Sequence, residues 1–423
     1  MTFAQRLAAI AFSGFIASAP ISALADLPKD TKDWPSFHGS AHDNISDETG
    51  LLKDWPQGGP PMVWKVHGIG EGHSSVSVAN GKIFTAGSIG DATYVFALNE
   101  SDGQQAWKAK VGDNWKNDQG GPGPRSTPTA DGEAVYFVSP VGDLVALNFA
   151  DGNEIWRHNY QKDFGGRPPG WGFSESLLVD GDNVICTPGG SKGAVVALNR
   201  KTGKEVWRSK DFKDAAAYAP PLPADIGGVH QIITYTESHV AGIDARDGSL
   251  LWSADRRGRT ATIPTPVVKD NYVYVTSGYG VGCNLFKINS NNGKFSVEPV
   301  YDNKTMVNHH GGVILIGDCV YGHSDNGGWT CQDLVSGQSK WKGNKVGKGS
   351  IAYADGRFYL REESGRGSKI VLIEASPEGY KEDGRFEQPE HSGKSAWPHP
   401  VIANGKLYIR DQDLLLCYDV KAK

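Results

Sequence analysis

The chain has 423 residues, 43 basic against 48 acidic, a net charge of −5, 54 glycines and 10% aromatic residues. Such mild acidity argues against nucleic acid or an anionic membrane as partner, since both recruit basic patches. Abundant glycine and aromatics without a long helical pattern point to an all-β protein, and the length ordinarily suggests two or three domains, a prior that repeat architectures break.

Met1–Ala25 carries one basic residue, Arg6, then an apolar run from Leu7 to Pro20, then Ala23-Leu24-Ala25 before Asp26. This is the layout of a secretory signal peptide (1–25), and the apolar run is too short and broken to span a bilayer. The mature chain is therefore expected to be periplasmic or extracellular, without a transmembrane segment. It would lose Arg6 and no acid, moving its net charge from −5 to −6. No cysteine follows the cleavage site, so no lipid anchor is expected. Residues 26–60 read as a lead-in and 61–423 as a repeat array.

The array is cut by one motif. Ala97-Leu98-Asn99 is followed by Asp102-Gly103 and Trp107, and Ala146-Leu147-Asn148 by Asp151-Gly152 and Trp156. Ala197-Leu198-Asn199 leads to Gly203 and Trp207, Ile243-Asp244 to Gly248 and Trp252, and Gln332-Asp333 to Gly337 and Trp341. With Asn289, Glu374 and Asp419 there are eight anchors, spaced 41 to 51 residues apart, the length of a four-stranded propeller blade. Tight hairpins are expected at Asn80-Gly81, Asp131-Gly132, Asp355-Gly356 and Asn404-Gly405, because Asn, Asp and Gly tolerate positive φ. Only Val420–Lys423 follow the last anchor, so the eighth unit lacks an outer strand. Met62–Val66, with Trp64, is expected to supply it and close an eight-bladed β-propeller, burying the strand edges of an open array.

The motif Ala-x-Asn/Asp-x-x-x-Gly-x-x-x-Trp resembles the tryptophan-docking repeat of the pyrroloquinoline-quinone-like propellers, from Trp64 to Asp419. That superfamily includes quinoprotein alcohol dehydrogenases and the propeller lipoprotein of outer-membrane protein assembly. The lead-in segments Trp34–Gly39 and Glu48–Leu52 resemble those of secreted bacterial members. The resemblance implies the fold and assigns Trp64, Trp107, Trp156, Trp207, Trp252 and Trp341 to packing between blades. For function it implies either quinone-dependent alcohol or sugar oxidation, with pyrroloquinoline quinone and calcium, or a non-catalytic protein-docking scaffold. The chain has neither the adjacent cysteine pair of the dehydrogenases nor a Cys-x-x-Cys-His haem site, and Glu175, Asn308 and Asp325 are its candidate calcium ligands.

Strand order separates two faces. The x-Gly turns occupy one, and the connectors into each blade and the loops between second and third strands occupy the other. The connectors bring His73, Arg125, Trp171, Tyr218, Thr262, His309, His310, Lys348, Trp397 and His399 to that second face. The loops bring Glu237, His239, Tyr279, His323, Asp325, Trp329, Glu362 and Asp411. Such a ring builds a central ligand site, and it also suits a channel that is merely wet. The candidate ligand-binding residues are His73, Arg125, Trp171, His309, His310, His323, Lys348, Trp397 and His399. His310 and Asp325 are the candidate catalytic residues, because a histidine beside a carboxylate can bind a metal or act as a general base. If Asn308–Gly312 is extended, His309 and His310 point to opposite sides and one enters the channel. Trp397 offers a wall for a flat ring, and Arg125 or Lys348 a partner for a carboxylate. A small molecule or a protein partner is expected on this face, and a closed ring is expected to be monomeric. Cys186, Cys283, Cys319, Cys331 and Cys417 form no disulfide framework, although Cys319 and Cys331 flank one hairpin and leave a disulfide between them open.

Overall fold

A computed structural model describes residues 32–115, 121–259, 261–343, 345–364 and 367–423. The expected signal peptide (1–25) and the start of the lead-in lie outside the described residues. Those residues form strands and no helix, and eight antiparallel sheets follow one another along the chain. Blades 1 to 8 span residues 77–113, 129–159, 178–208, 222–255, 267–303, 313–343, 349–387 and 401–419. Their first strands touch around the axis, as between blades 1 and 2 and from blade 5 through blade 8. This is the expected eight-bladed propeller.

Two early strands complete it. The short β1 (Ile45–Ser46) pairs in parallel with the first strand of blade 7, and β2 (Met62–Val66) pairs with Leu414–Asp419 as the outer strand of blade 8. The ring thus closes through Trp64. The hairpin signals hold at Asn80, Asp355 and Asn404, whose φ values are +48°, +50° and +55°. The hairpin at Asp131-Gly132 forms as well, joining Thr129–Ala130 to Ala134–Val138, with positive φ at Gly132 and the Asp131 carboxylate accepting the backbone N–H groups of Glu133 and Ala134.

Each outer-strand tryptophan docks onto the next blade. Trp64, Trp107, Trp156, Trp207 and Trp341 donate their indole N–H to the carbonyls of Glu100, Phe149, Arg200, Ala245 and Ser376, over 2.9–3.1 Å. The turn glycine makes room: Gly103 has φ +71°, and a Cβ there would lie 2.8 Å from the Trp64 ring. Trp252 departs from the pattern. It packs against Val273 and Phe286 of blade 5, but its N–H goes to Gln231 of its own blade. Blades 5 and 7 lack the tryptophan, and other aromatics stand in. Tyr301 donates to the Leu334 carbonyl at 2.8 Å, and Phe386 packs on Tyr418 with ring centroids 5.0 Å apart.

The lead-in is not a flank. It folds back on itself inside the channel, and both limbs meet the turn face. Asp33 accepts the Asn80 N–H, and the Glu48 carboxylate accepts the Gly405 N–H. Between them Trp34 bridges to Val78 of blade 1, Ala130 of blade 2 donates to the Pro35 carbonyl, and Asn44 donates to the Ile351 carbonyl of blade 7. Three non-glycine residues in this reversal, His38, His42 and Asn44, have φ of +68°, +57° and +64°, a concentration of left-handed backbone that the surrounding ring has to stabilise. The channel is therefore plugged from the turn face.

All five cysteines are buried and unpaired, so no disulfide joins Cys319 to Cys331. Register explains this: Cys319 lies opposite Asp333 and Cys331 opposite Tyr321, which sets the two thiols diagonally rather than face to face. Unreduced protein in guanidinium should titrate five thiols with a chromogenic disulfide reagent, and native protein far fewer. Fewer than five after unfolding would reveal a bond.

Candidate functional site

At the connector face a cavity of about 410 Å³ opens above the plug, with Phe37 and His38 as its floor. Its wall runs round the ring: His73 from blade 1, Arg125 from blade 2, Trp171, Ser174 and Ser176 from blade 3, and Tyr218 and Pro220 from blade 4. Ile263–Thr265 and Tyr279 come from blade 5, His309 and His310 from blade 6, and Trp397–His399 from blade 8. Seven of the nine predicted ligand-binding residues meet here, namely His73, Arg125, Trp171, His309, His310, Trp397 and His399. Lys348 and His323 stand behind the wall. The Lys348 ammonium lies 3.0 Å from Asp325 and donates to His309 Nδ1 at 2.8 Å. His323 packs edge-on against Trp329, which is buried in its strand rather than exposed on a loop.

Two expectations are corrected. His309 and His310 both line the cavity, because residues 309–311 bend rather than extend and the strand alternation does not apply. The carboxylate beside His310 is not Asp325, which Lys348 holds, but Glu363, 2.7 Å from His310 Nε2. Its neighbour Glu362 stood out in the sequence; the loop between the second and third strands of blade 7 brings Glu363 there instead. Phe37 and His38 stood out only as part of the Trp34–Gly39 lead-in, and Thr265 not at all, since nothing local says that a lead-in enters the channel.

One wall is a run of rings in contact, edge-on at Tyr279–His309, tilted through His310 and stacked only at Trp397–His73. Tyr279, His309, His310, Trp397 and His73 follow with successive centroid distances of 4.8, 4.6, 5.0 and 4.2 Å. Trp171 and Tyr218, 5.4 Å apart, form a second aromatic patch. In a ring of eight, blades 3 and 4 stand across the channel from blades 7 and 8, and blade 2 from blade 6.

His38, His309 and His399 are held neutral by burial and hydrogen bonding. His399 Nε2 donates to the His310 carbonyl at 2.9 Å, so its Nδ1 must accept from His38 Nε2, 3.0 Å away. His38 Nδ1 in turn accepts from the Thr265 hydroxyl at 3.2 Å. A carbonyl can only accept, so this one contact fixes both tautomers. Burial lowers His399 to about 4 against the opposing hydrogen bond to the His310 carbonyl, and holds His38 well below its usual value. His309 falls to about 3 through burial, His310 and Lys348. Burial pushes Glu363 up, but the combined pull of His310, Lys348 and His309 outweighs it and leaves the carboxyl below its ordinary value. Arg125 donates to the carbonyls of Gly121, Gly123 and Trp171 at 3.3–3.4 Å, and burial lowers it to about 10, still charged at neutral pH.

A family model described as outer membrane protein assembly factor BamB matches residues 58–163 and 91–343. A protein of that name from Kangiella koreensis is 27% identical over 157 residues, which are 37% of this chain and 35% of that protein. The chain thus spans about a third of that relative's length. The BamB of Salmonella typhimurium is 24% identical over 401 residues, covering 84% of this chain and 87% of its own. Among solved structures, quinohemoprotein alcohol dehydrogenase from Comamonas testosteroni superposes with a TM-score of 0.66 at 13% identity, over 93% of this chain and 81% of that one. At that identity the likeness is one of fold.

Proposed function

From the premise that this chain belongs to the outer membrane protein assembly factor BamB family of pyrroloquinoline-quinone-like propellers, we propose that it is an exported, periplasmic propeller that binds a small organic molecule in its connector-face cavity. The observation that carries this reading is the cavity of about 410 Å³, walled by aromatic rings from opposite sides of the ring and floored by the plug. Its size and mixed apolar and polar lining suit a compact ligand. The plug leaves the pocket one mouth, so a ligand enters and leaves from the connector face.

The residues present do not fit the quinone and calcium implied by the dehydrogenase branch. Glu175 is spent on Tyr160 and Thr187, Asn308 on Gly312 and the His323 carbonyl, and Asp325 on Lys348. Among the described residues no group of three or more His, Cys, Asp or Glu side chains is arranged to hold a metal ion. A tricarboxylate would bring three negative charges to a cavity in which Arg125 is the one fixed charge among the described lining residues, and burying unpaired carboxylates is costly.

The test is a thermal-shift screen of small aromatic, acidic and sugar compounds against the full chain and Trp397→Leu. A true ligand at 100 times its Kd adds about 2.7 kcal/mol of stability and loses that effect in the variant. If nothing in the screen shifts the transition, the small-molecule reading falls. Family membership itself favours a second reading, a non-catalytic platform for a protein partner on the same face. It would gain if the screen fails while defined outer-membrane assembly proteins bind the purified chain.

A further inference from the structure

Resting on that reading of the cavity, we infer that its ligand is a flat aryl carbonyl compound whose carbonyl oxygen accepts a hydrogen bond from His309 Nε2, and that Lys348 holds His309 in the tautomer that donates. Three observations carry this.

First, one contact fixes the tautomer. The Lys348 ammonium lies 2.8 Å from His309 Nδ1. An ammonium can only donate, so Nδ1 accepts and the ring proton sits on Nε2. Lys348 is itself held in place: Asp325 pairs with its ammonium at 3.0 Å, and its carbonyl accepts the Glu363 N–H at 2.8 Å. Asp325 is anchored in turn by its own N–H, which donates to the Val307 carbonyl at 2.9 Å. Burial, with His310 and Lys348, lowers His309 to about 3, so the ring is neutral at neutral pH.

Second, the ring is aimed. Lys348 stands behind the wall and holds the Nδ1 edge, while His309 lines the cavity. Nε2 is open rather than buried and, among the described residues, takes no hydrogen bond. Neighbours keep the ring in position: Tyr279 meets it edge-on at 4.8 Å, and His310 lies 4.6 Å away. A Cβ at Gly278 would lie 3.0 Å from His309 Cα and 3.1 Å from its Cβ, so a glycine there lets blade 5 close on the ring. A fixed N–H selects an acceptor, because a ligand donor placed there would meet proton against proton.

Third, the wall beside His309 is flat. Trp397 lies 5.0 Å from His310 and stacks on His73 with an interplanar angle of 25°, and Trp171 stands across the ring. Aromatic faces reward a planar ring over a puckered sugar. A carbonyl conjugated to an aromatic ring lies in the ring plane, so one rigid unit supplies a face for Trp397 and an acceptor for His309.

The experiment follows calorimetry of the full chain with 2-acetylnaphthalene, its oxygen-free isostere 2-ethylnaphthalene and glucose, and reads the His309 tautomer from its imidazole nitrogen NMR shifts. We expect the Nε2–H tautomer, and the ketone to bind about fivefold more tightly than the hydrocarbon. His309→Phe keeps a ring in the wall and should erase that preference while hydrocarbon affinity stays, which reports an intact cavity. Lys348→Met frees Nδ1, so the shifts should move toward a tautomer mixture and the preference should fall below about twofold. A purely structural role for Lys348 would instead weaken both naphthalenes together, as Trp397→Leu should. Equal affinity for the two naphthalenes, both sensitive to Trp397→Leu, overturns the donor and leaves the cavity reading standing. An Nδ1–H tautomer in the native chain, or a preference that survives His309→Phe, overturns it as well. Glucose binding more tightly than the ketone overturns the ligand class. Binding of none of the three takes down the inference, and with an empty broader screen the small-molecule reading too.

Discussion

Replacing Arg410 with methionine is expected to lower the unfolding free energy by on the order of 3 kcal/mol. Arg410 is 1% exposed on the second strand of blade 8. Its guanidinium donates to the carbonyls of Gln412, Ser74, Ala86 and Gly70 at 3.0, 3.0, 2.6 and 3.1 Å, and to the Thr85 hydroxyl. Ser74, Thr85 and Ala86 belong to blade 1 and its connector, so the side chain ties the last blade to the first. Burial lowers it to about 9, which keeps it charged at neutral pH. Methionine fills similar volume but leaves several buried carbonyls without a donor, and each costs free energy; removing a desolvated charge returns part of that. Urea unfolding by tryptophan fluorescence measures the difference, and a loss below about 1 kcal/mol would show that water replaces the guanidinium. Arg361 repeats the device one blade earlier, reaching the carbonyls of Pro398 and Arg410.

The second large effect is acid sensitivity. His399 and His38 are 6% and 4% exposed and neutral, and their folded-state values lie below the 6.5 of an unfolded histidine. Between the two values the unfolded chain binds more protons than the native one, so stability rises with pH there. It is complete above about pH 6.5 and lost as pH falls toward 4. Each such group contributes a slope of up to about 1.4 kcal/mol per pH unit, so His399 alone accounts for about 3 kcal/mol at pH 4. The loss should begin at the plug, because a proton on His399 Nδ1 removes the acceptor that holds His38. Urea midpoints at pH 7, 5.5 and 4.5 test the slope, and His399→Asn should flatten it. A pH-independent midpoint across that range would mean that the histidines are hydrated or paired differently. Acid-exposed carboxylates add to the general decline, which is why the comparison with His399→Asn decides the assignment.

The ring was legible because its signals are local and repeated. An anchor every 41 to 51 residues, an x-Gly turn after it and a tryptophan four residues on fix strand lengths and reversals. The missing outer strand at Asp419 and the spare one at Met62–Val66 fix closure. The same reasoning failed where one aromatic replaces another: Tyr301 and Phe386 dock as the tryptophans do, but nothing adjacent marks them. It also failed at Asn308–Gly312, where a strand alternation was applied to a bend. The candidate site was legible as a face and as most of its wall, because strand order alone places the connectors together.

Only the tertiary structure decided what fills that face. The reversal through His38, His42 and Asn44 is stabilised by contacts with blades 1, 2, 5, 7 and 8, each distant in sequence, so no local pattern announces the plug. The same holds for Glu363 beside His310, for Lys348 turned toward Asp325, and for the histidine chain whose protonation depends on one carbonyl. Repetition let the sequence by itself determine eight blades and their closure. The floor, the charge and the protonation of the cavity arise from side chains converging across the ring, and convergence is a property of the folded molecule.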